Sequence, residues 1–497
     1  MRVDKVFAFL GLPYAAPPVG ALRYASPRPP EPWTTPRDAT QPGAASIQTL
    51  GGAAAWLYEG ATPQAEDCLF LNVWTPDPQG QRPVMVWLHG GAWRTGRGNA
   101  VGTIGTTLAA RGDVVVVTLN YRLGALGWLA HPDLADPTTG AYANWGLQDQ
   151  IAALQWVQAN IAAFGGDPKR VTLFGQSAGG SSTASIAQDP RHAGLLARAI
   201  IESGSLHGAP AFPEPATAAS YAEALAKRLD TSVAGLRQVP AETLHQTELA
   251  LARDPTVVKG IGRPPVLPVK DGIVLKTWPR DGTLAPVPLL IGTTRTEATF
   301  WYDLIGPDGA RVPGLNPPAN PEALLRAVAD LMAVYRPESR TRPAEVIDAY
   351  TDAAMAGAQS LDPLSLWIAI DTDVVFTLRA REAAARHAAS GQLTYLYTFD
   401  RPLAPPAHGV PHTAEIPFVF GTYGDPFFAA KCGAGPESAT LSEFMLTAWA
   451  RFAHDGALGA PWRAVADVTP PANVLGGPDG LVAPDTSPTS IARAIWG

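Results

Sequence analysis

Two cysteines in 497 residues, Cys68 and Cys432, are too few for a cysteine metal cluster and allow at most one disulfide. No Asn-x-Ser/Thr sequon occurs, and Met1 to Tyr14 lacks the basic start, long apolar segment and small-residue cleavage site of a signal peptide, so a cytoplasmic protein is expected. The longest apolar runs, such as Val114 to Leu119, fall far short of the ~20 residues that cross a bilayer, and no membrane span is expected. A formal net charge of −7 gives no basic surface for nucleic acid. There is no HExxH, no cysteine pair at ligand spacing and no EF-hand loop, so neither a metal nor another cofactor is expected. Internal repeats, low-complexity tracts and a linker long enough to separate independent domains are also missing.

What the chain has is apolar content: 46% hydrophobic against 16% charged residues, enough for a large core. Short runs such as Leu69 to Trp74, Val84 to Leu88, Val114 to Leu119, Ala199 to Ile201, Val287 to Ile291 and Leu393 to Phe399 predict strands. Between them, Leu147, Ile151, Leu154, Val157 and Ile161 recur at three- and four-residue steps, which is helical spacing, and Gly165-Gly166-Asp167-Pro168 ends that helix. Tyr221 to Leu229, Pro321 to Val334, Val374 to Ala389 and Leu441 to His454 carry further helical patterns. Strand and helix alternate, which predicts an α/β protein with a mainly parallel sheet covered on both faces.

The chemistry centres on Arg170 to Thr183, RVTLFGQSAGGSST. Val171 to Phe174 predicts a buried strand, and the Ala- and Ser-rich stretch after it suits a helix. Gly175-Gln176-Ser177-Ala178-Gly179 between them matches GxSxG. A strand that turns at once into a helix strains the central residue and leaves no room for side chains two positions away, hence the glycines. Ser177 is thereby pushed out at the sheet's carboxyl edge beside helix-start amides that stabilise negative charge, a placement that suits a nucleophile. As a bare pentapeptide the motif is also an ordinary small-residue turn.

A serine nucleophile needs a base and an acid to orient that base, and with this elbow they follow in the order serine, acid, histidine. His387, His408, His412 and His454 all lie late enough in the chain. His387 in an Ala-rich helix and His454 at a helix end suit dipole complementation better than catalysis, which leaves His408 and His412 on one Pro-rich loop. For the acid, Glu297 follows a strand, with Asp271 and Asp281 as competitors; an exposed loop carboxylate is most often only solvated. Paired glycines in His89-Gly90-Gly91-Ala92-Trp93 follow a strand and offer unshielded N–H groups to an oxyanion, or form a plain glycine turn.

FLGLPYAAPPVGALRY, EDCLFLNVW, HGGAW, NYRLGALGWL, GLQDQIAALQWVQANIAAFGGDPKRVTLFGQSAGG and HTAEIPFVFG occur in order over nearly the whole chain. Together they resemble the type-B carboxylesterases, α/β-hydrolases related to the cholinesterases. The resemblance implies a single α/β-hydrolase domain with helical insertions over the active site, roughly residues 205–285 and 298–370, and a serine hydrolase of carboxylic esters. It assigns the base to His412 and the acid to Glu297, and the oxyanion donors to Gly91, Ala92 and Ala178. It also implies internal salt bridges Arg23–Glu66 and Arg122–Asp149, and Ser203 as support near the triad. Two departures stand out. The cysteine that usually pairs with the one at Cys68 is missing from Gly43 to Gln48, and relatives carry an N-terminal hairpin ahead of the region matching Phe9, where this chain almost begins.

The bulky residues beside these motifs, Trp93, Trp128, Phe300 and Trp301 with Tyr302, are candidate pocket walls, although about half of such aromatics pack a core. Gln176 stands where cholinesterases have a glutamate, which weakens the case for a cationic substrate. The expectation is a monomeric esterase for small neutral esters with short to medium acyl chains or aromatic groups. An amidase or carbamate hydrolase with the same triad is the first alternative; a non-catalytic adhesion protein of this fold is disfavoured by the intact Ser177, Glu297 and His412.

Overall fold

The computed structural model describes the chain except residues 1, 4, 52–56, 59–61, 255, 258–265, 467–470 and 497. Its strands are β1 (Arg2–Val3), β2 (Val6–Pro13), β3 (Phe70–Thr75), β4 (Arg82–Leu88), β5 (Val115–Leu119), β6 (Gly166–Gln176), β7 (Arg198–Glu202), β8 (Leu289–Thr294), β9 (Thr394–Phe399), β10 (Asn473–Gly477) and β11 (Gly480–Pro484). They form one sheet in the order β1-β2-β3-β5-β4-β6-β7-β8-β9-β10-β11. From β5 to β10 every pairing is parallel, while the two ends of the sheet close with antiparallel pairs. β1 pairs antiparallel with β2 at one edge, ahead of Phe9.

The central strands are apolar on both faces because both are covered. Val84, Val86 and Leu88 join Val115, Val117 and Leu119 in one core, while the alternating Met85 and Trp87 join Val114 and Val116 in another. Full burial of each such side chain contributes about 1.5–3 kcal/mol. The helix Trp145–Asn160 buries Leu147, Leu154 and Val157 in the first core, and a short 3₁₀ turn carries Ile161 into it before Gly165, at φ 78°, stops the run. The helices Pro321–Tyr335, Pro343–Ala356 and Pro363–Thr372 bury Leu324, Val328, Val346, Tyr350 and Ile370 in a separate small core.

The expected salt bridges are present, Arg122–Asp149 buried and Arg23–Glu66 partly so. Arg122 Nη2 lies 2.7 Å from Asp149 Oδ1, and Arg23 Nη2 2.6 Å from Glu66 Oε2. Cys68 and Cys432 are free and buried. Among the described residues no helix is long and apolar enough to cross a membrane.

Parallel pairing brings the carboxyl ends of β4, β6, β7, β8 and β9 to one edge. The loops leaving that edge carry His89 to Trp93, Ser177, Ser203, Glu297 and His412 in turn. Sheets of this kind bind ligands at this edge.

Candidate active site

Ser177 sits between the last residue of β6 and the helix Ala178–Ala187 with φ 58° and ψ −122°, a conformation a non-glycine residue adopts only under strain of about 1–3 kcal/mol. Its N–H donates to Glu202 O at 2.8 Å, which ties the elbow to β7. The flanking glycines are steric requirements. A Cβ on Gly179 would lie 1.9 Å from Leu88 O, and one on Gly175 2.6 Å from the Gly179 carbonyl carbon.

Glu297, three residues beyond β8, is fully buried rather than the solvated carboxylate that its loop position suggests. Its Oε1 accepts from Ser203 Oγ at 2.6 Å and from Thr294 N at 2.8 Å, and its Oε2 accepts from His412 Nδ1 at 2.5 Å. With Nδ1 as donor, the neutral imidazole carries its lone pair on Nε2, the tautomer a general base requires. The His412 N–H donates to Glu297 O at 3.3 Å and locks the two loops together.

The competing residues are engaged elsewhere. His408 is half exposed and bonds Asp303 Oδ2 at 2.7 Å. His387 Nε2 donates to Val287 O and His454 Nε2 to Gly112 O. Asp271 Oδ1 accepts from the N–H groups of Ile273, Val274 and Leu275, and Asp281 pairs with Arg280.

The loop after β4 turns through three successive positive φ values, 106° at Gly91, 52° at Ala92 and 58° at Trp93. Gly91 O accepts from both Arg94 N and Thr95 N at 3.0 Å, which fixes the turn. Its closeness to the serine is direct, since a Cβ on Gly90 would lie 3.0 Å from Ser177 Cβ. Among the described residues the N–H groups of Gly91, Ala92 and Ala178 donate to no protein acceptor, and Ser177 Oγ makes no hydrogen bond. Free donors at a strained serine can receive an oxyanion.

The aromatic candidates divide. Phe300 and Trp301 flank the imidazole, with ring centroids 5.8 and 4.9 Å from that of His412. Trp93 and Trp128 instead pack in the core, 5.7 Å apart, with Trp128 fully buried. Neither ring is among those set against the imidazole: the Trp93 Nε1–H donates to Ser182 Oγ, and Trp128 packs on Trp93 at a tilt of 58°. Phe376, which the sequence analysis did not single out, takes their place. It lies 5.0 Å from His412 and stacks on Trp301 at 5.7 Å. It belongs to a π-helical turn, Asp373–Thr377, inside a longer helix, and a helical sequence pattern does not reveal such a turn.

Two further acids were also missed. Glu202 and Glu415 are fully buried. Glu202 Oε1 accepts from Trp449 Nε1 at 2.8 Å, but among the described residues its Oε2 has no partner, and burial pushes this carboxyl up to about 8. Neither Glu415 oxygen finds a well-formed hydrogen bond; Ser203 is close but spends its proton on Glu297. Burial, with the charges of Glu202 and Glu297, raises Glu415 well above the usual carboxylate range. His89 is held down to about 4 by burial, so the base of the glycine loop is neutral. Among the described residues no group of three or more His, Cys, Asp or Glu side chains is placed to hold a metal ion.

A mainly parallel sheet with a serine elbow at its carboxyl edge, followed by loops presenting a buried acid and a histidine, defines an α/β-hydrolase. The chain belongs to the carboxylesterase family, whose model matches residues 1–472, and is a carboxylic ester hydrolase. It is 35% identical over 467 residues to the para-nitrobenzyl esterase of Bacillus subtilis (strain 168), covering 91% of this chain and 87% of that one. A phenmedipham hydrolase of Pseudarthrobacter oxydans is 40% identical over 304 residues, 60% of this chain and 59% of that protein. Among solved structures, a thermophilic PNB esterase superposes with a TM-score of 0.82 at 32% identity, covering 100% of this chain and 97% of that one. A carboxylesterase of Geobacillus stearothermophilus gives 0.80 at 31% identity with the same coverage.

Proposed function

We propose that Ser177, His412 and Glu297 act as nucleophile, base and orienting acid in hydrolysing small neutral esters. Ser177 Oγ attacks the ester carbonyl as its proton passes to His412 Nε2. Glu297 holds the ring in the required tautomer and stabilises the imidazolium that forms. The carbonyl oxygen, now negative, accepts from the N–H groups of Gly91, Ala92 and Ala178. Collapse breaks the bond to the alkoxy oxygen, which takes the proton from Nε2 and leaves as the alcohol. Water then enters, gives a proton to Nε2 and attacks the acyl carbonyl; the second intermediate collapses as Ser177 Oγ takes that proton back from Nε2 and leaves, releasing the acid.

The observation that carries this reading is the short Glu297–His412 contact, which leaves Nε2 as acceptor, at the sheet edge that also carries the strained serine and three unclaimed N–H groups. The substrate class follows from the surroundings. Phe300, Trp301 and Phe376 form an aromatic wall at the imidazole, and Gln176 next to the serine carries no charge. Such a wall favours neutral esters with short to medium acyl chains or aromatic groups. The test compares kcat/KM for p-nitrophenyl butyrate, p-nitrophenyl palmitate and butyrylthiocholine, with matched amide and carbamate analogues. The butyrate ester is expected to be the preferred substrate; preference for the palmitate, the cationic ester or an amide overturns the substrate assignment.

A further inference from the structure

Glu248 sits on the helix Ala241–Leu251, in the segment between β7 and β8, and is 1% exposed. Its Oε2 accepts from Ala125 N at 3.0 Å, and its Oε1 lies 2.9 Å from Arg94 Nη2, an ion pair without hydrogen-bond alignment. Both contacts bear on the glycine loop. Arg94 N donates to Gly91 O at 3.0 Å, and Gly124 N, one residue before Ala125, donates to Trp93 O at 2.8 Å. Gly124 stands at φ 53°, and a Cβ there would lie 2.8 Å from Glu248 Oε2, so the carboxylate is packed directly against that turn. The helix behind Glu248 is itself anchored: His245 Nε2 and Thr49 Oγ1 are 2.9 Å apart, and Tyr221 Oη donates to Glu248 O at 3.4 Å.

We propose that Glu248 is a positioning residue for the oxyanion site: its carboxylate grips the glycine loop through Arg94 and Ala125 and keeps the Gly91 and Ala92 N–H groups aimed at the ester oxygen. The proposal rests on the reading of those two groups as oxyanion donors. The loop needs such a hold because φ is positive at Gly91, Ala92 and Trp93 in succession. Non-glycine residues keep that conformation only where their surroundings over-determine it. A buried carboxylate is a firm hold, since breaking either contact leaves its charge uncompensated. Without it, Ala92 and Trp93 can relax towards negative φ, and the peptide planes that carry the donors turn.

The effect falls on the reaction rather than on binding. Negative charge on the ester oxygen develops only in the transition state, so a misaimed donor lowers kcat and leaves KM nearly alone. Other contacts keep the loop in place when Glu248 is replaced. Trp93 Nε1 still donates to Ser182 Oγ, and its ring still packs on Phe212 at 5.6 Å. The loop is therefore loosened rather than lost.

The experiment measures kcat and KM for p-nitrophenyl butyrate in the wild type, Glu248→Gln, Arg94→Met and Arg94→Lys, with active enzyme counted by stoichiometric organophosphate labelling. Glutamine keeps an acceptor for Ala125 N and removes the charge that faces Arg94. Alongside, the Ki of an alkyl trifluoromethyl ketone is measured: Ser177 Oγ adds to its carbonyl carbon, the serine proton passes to His412, and the ketone oxygen becomes the oxyanion. In Glu248→Gln kcat is expected to fall about 10- to 100-fold, somewhat less than for a donor deleted outright, with KM within about 2-fold and Ki raised. Arg94→Lys, which keeps the charge, should lose less than Arg94→Met. A merely structural role lowers the labelled fraction and leaves kcat per labelled site unchanged, which overturns the proposal. So does a rise in KM alone, because the carboxylate would then shape substrate binding. Amide hydrogen exchange at Arg94 and Thr95, whose N–H groups close the turn on Gly91 O, is read in a Ser177→Ala background and needs no turnover. Faster exchange in Glu248→Gln is expected, and unchanged exchange refutes the hold itself. Faster exchange with kcat and Ki unchanged would instead refute Gly91 and Ala92 as oxyanion donors, and the proposal with them. If Glu248→Gln does not fold, the two Arg94 variants decide.

Discussion

Two groups of buried acids in this molecule are treated in opposite ways. Asp373 and Asp485 are paired: Arg493 Nε lies 2.8 Å from Asp373 Oδ1, Arg493 Nη1 2.8 Å from Asp485 Oδ2, and Arg295 Nη1 3.0 Å from Asp485 Oδ1. Burial works against ionising Asp485, yet Arg295 and Arg493 outweigh it and hold the carboxyl well below the usual range. Among the described residues no cation pairs with Glu202 or Glu415, and burial raises both. The first group pins the C-terminal segment to the loop after β8 and to the π-helical turn that begins at Asp373. The second leaves neutral carboxyls close to Glu297, where a nearby arginine would compete with His412 for the carboxylate.

The contrast is broken most severely by removing the shared cation. Arg493→Ala leaves Asp373 without its bonded arginine and Asp485 with one of two, and a buried charge that loses its partner costs about 3–5 kcal/mol. Urea denaturation at pH 7 should show a loss of that order; a loss below about 1 kcal/mol would mean that the pairing is only incidental.

On the unpaired side the sign reverses. Folded Glu202 keeps its proton up to about pH 8, whereas in the unfolded chain it titrates near its ordinary 4.5. Between these values the folded state binds more protons, so stability falls as pH rises across the window. Glu202→Gln, which still accepts from Trp449, removes that contribution. The variant should exceed the wild type in stability by a margin that grows by up to about 1.4 kcal/mol per pH unit. Denaturation curves at pH 5.5 and 7.5 check this, and equal slopes for the two proteins would contradict it.

The smallest expected effect is none at all. Neither acid group is arranged as a metal site among the described residues, and the sequence has no metal motif. Prolonged chelation should leave kcat/KM unchanged. Loss that a divalent ion restores would require one of these carboxylate groups to be a ligand set.

Much of this was legible in the residues. The continuous apolar run Val84 to Leu88 and the three- and four-residue steps from Leu147 to Ile161 are local patterns, so strand and helix followed directly. GxSxG carried its steric reason with it, since Gly179 has no room for a Cβ. Glu297 and His412 were narrowed by chain order, and Glu297 by its place after a strand, but resemblance was needed to separate them from Asp271 and His408, because the two partners stand 115 positions apart and nothing local encodes their contact. What stayed hidden depends on packing between distant segments. Trp128 reads the same as a pocket wall or as core, Phe376 reaches the site through a π-helical turn, and Trp449, which donates to Glu202, lies 247 positions from it.

The central claim is that Ser177 is the atom acylated, and covalent labelling tests it most directly. The protein is treated with an organophosphate or sulfonyl fluoride, then measured intact and as peptides by mass spectrometry. One adduct per chain on Ser177, with no adduct on Ser177→Ala and no esterase activity in that variant, is the predicted result. An adduct on another residue, or a Ser177→Ala protein that still turns over p-nitrophenyl butyrate, would contradict it.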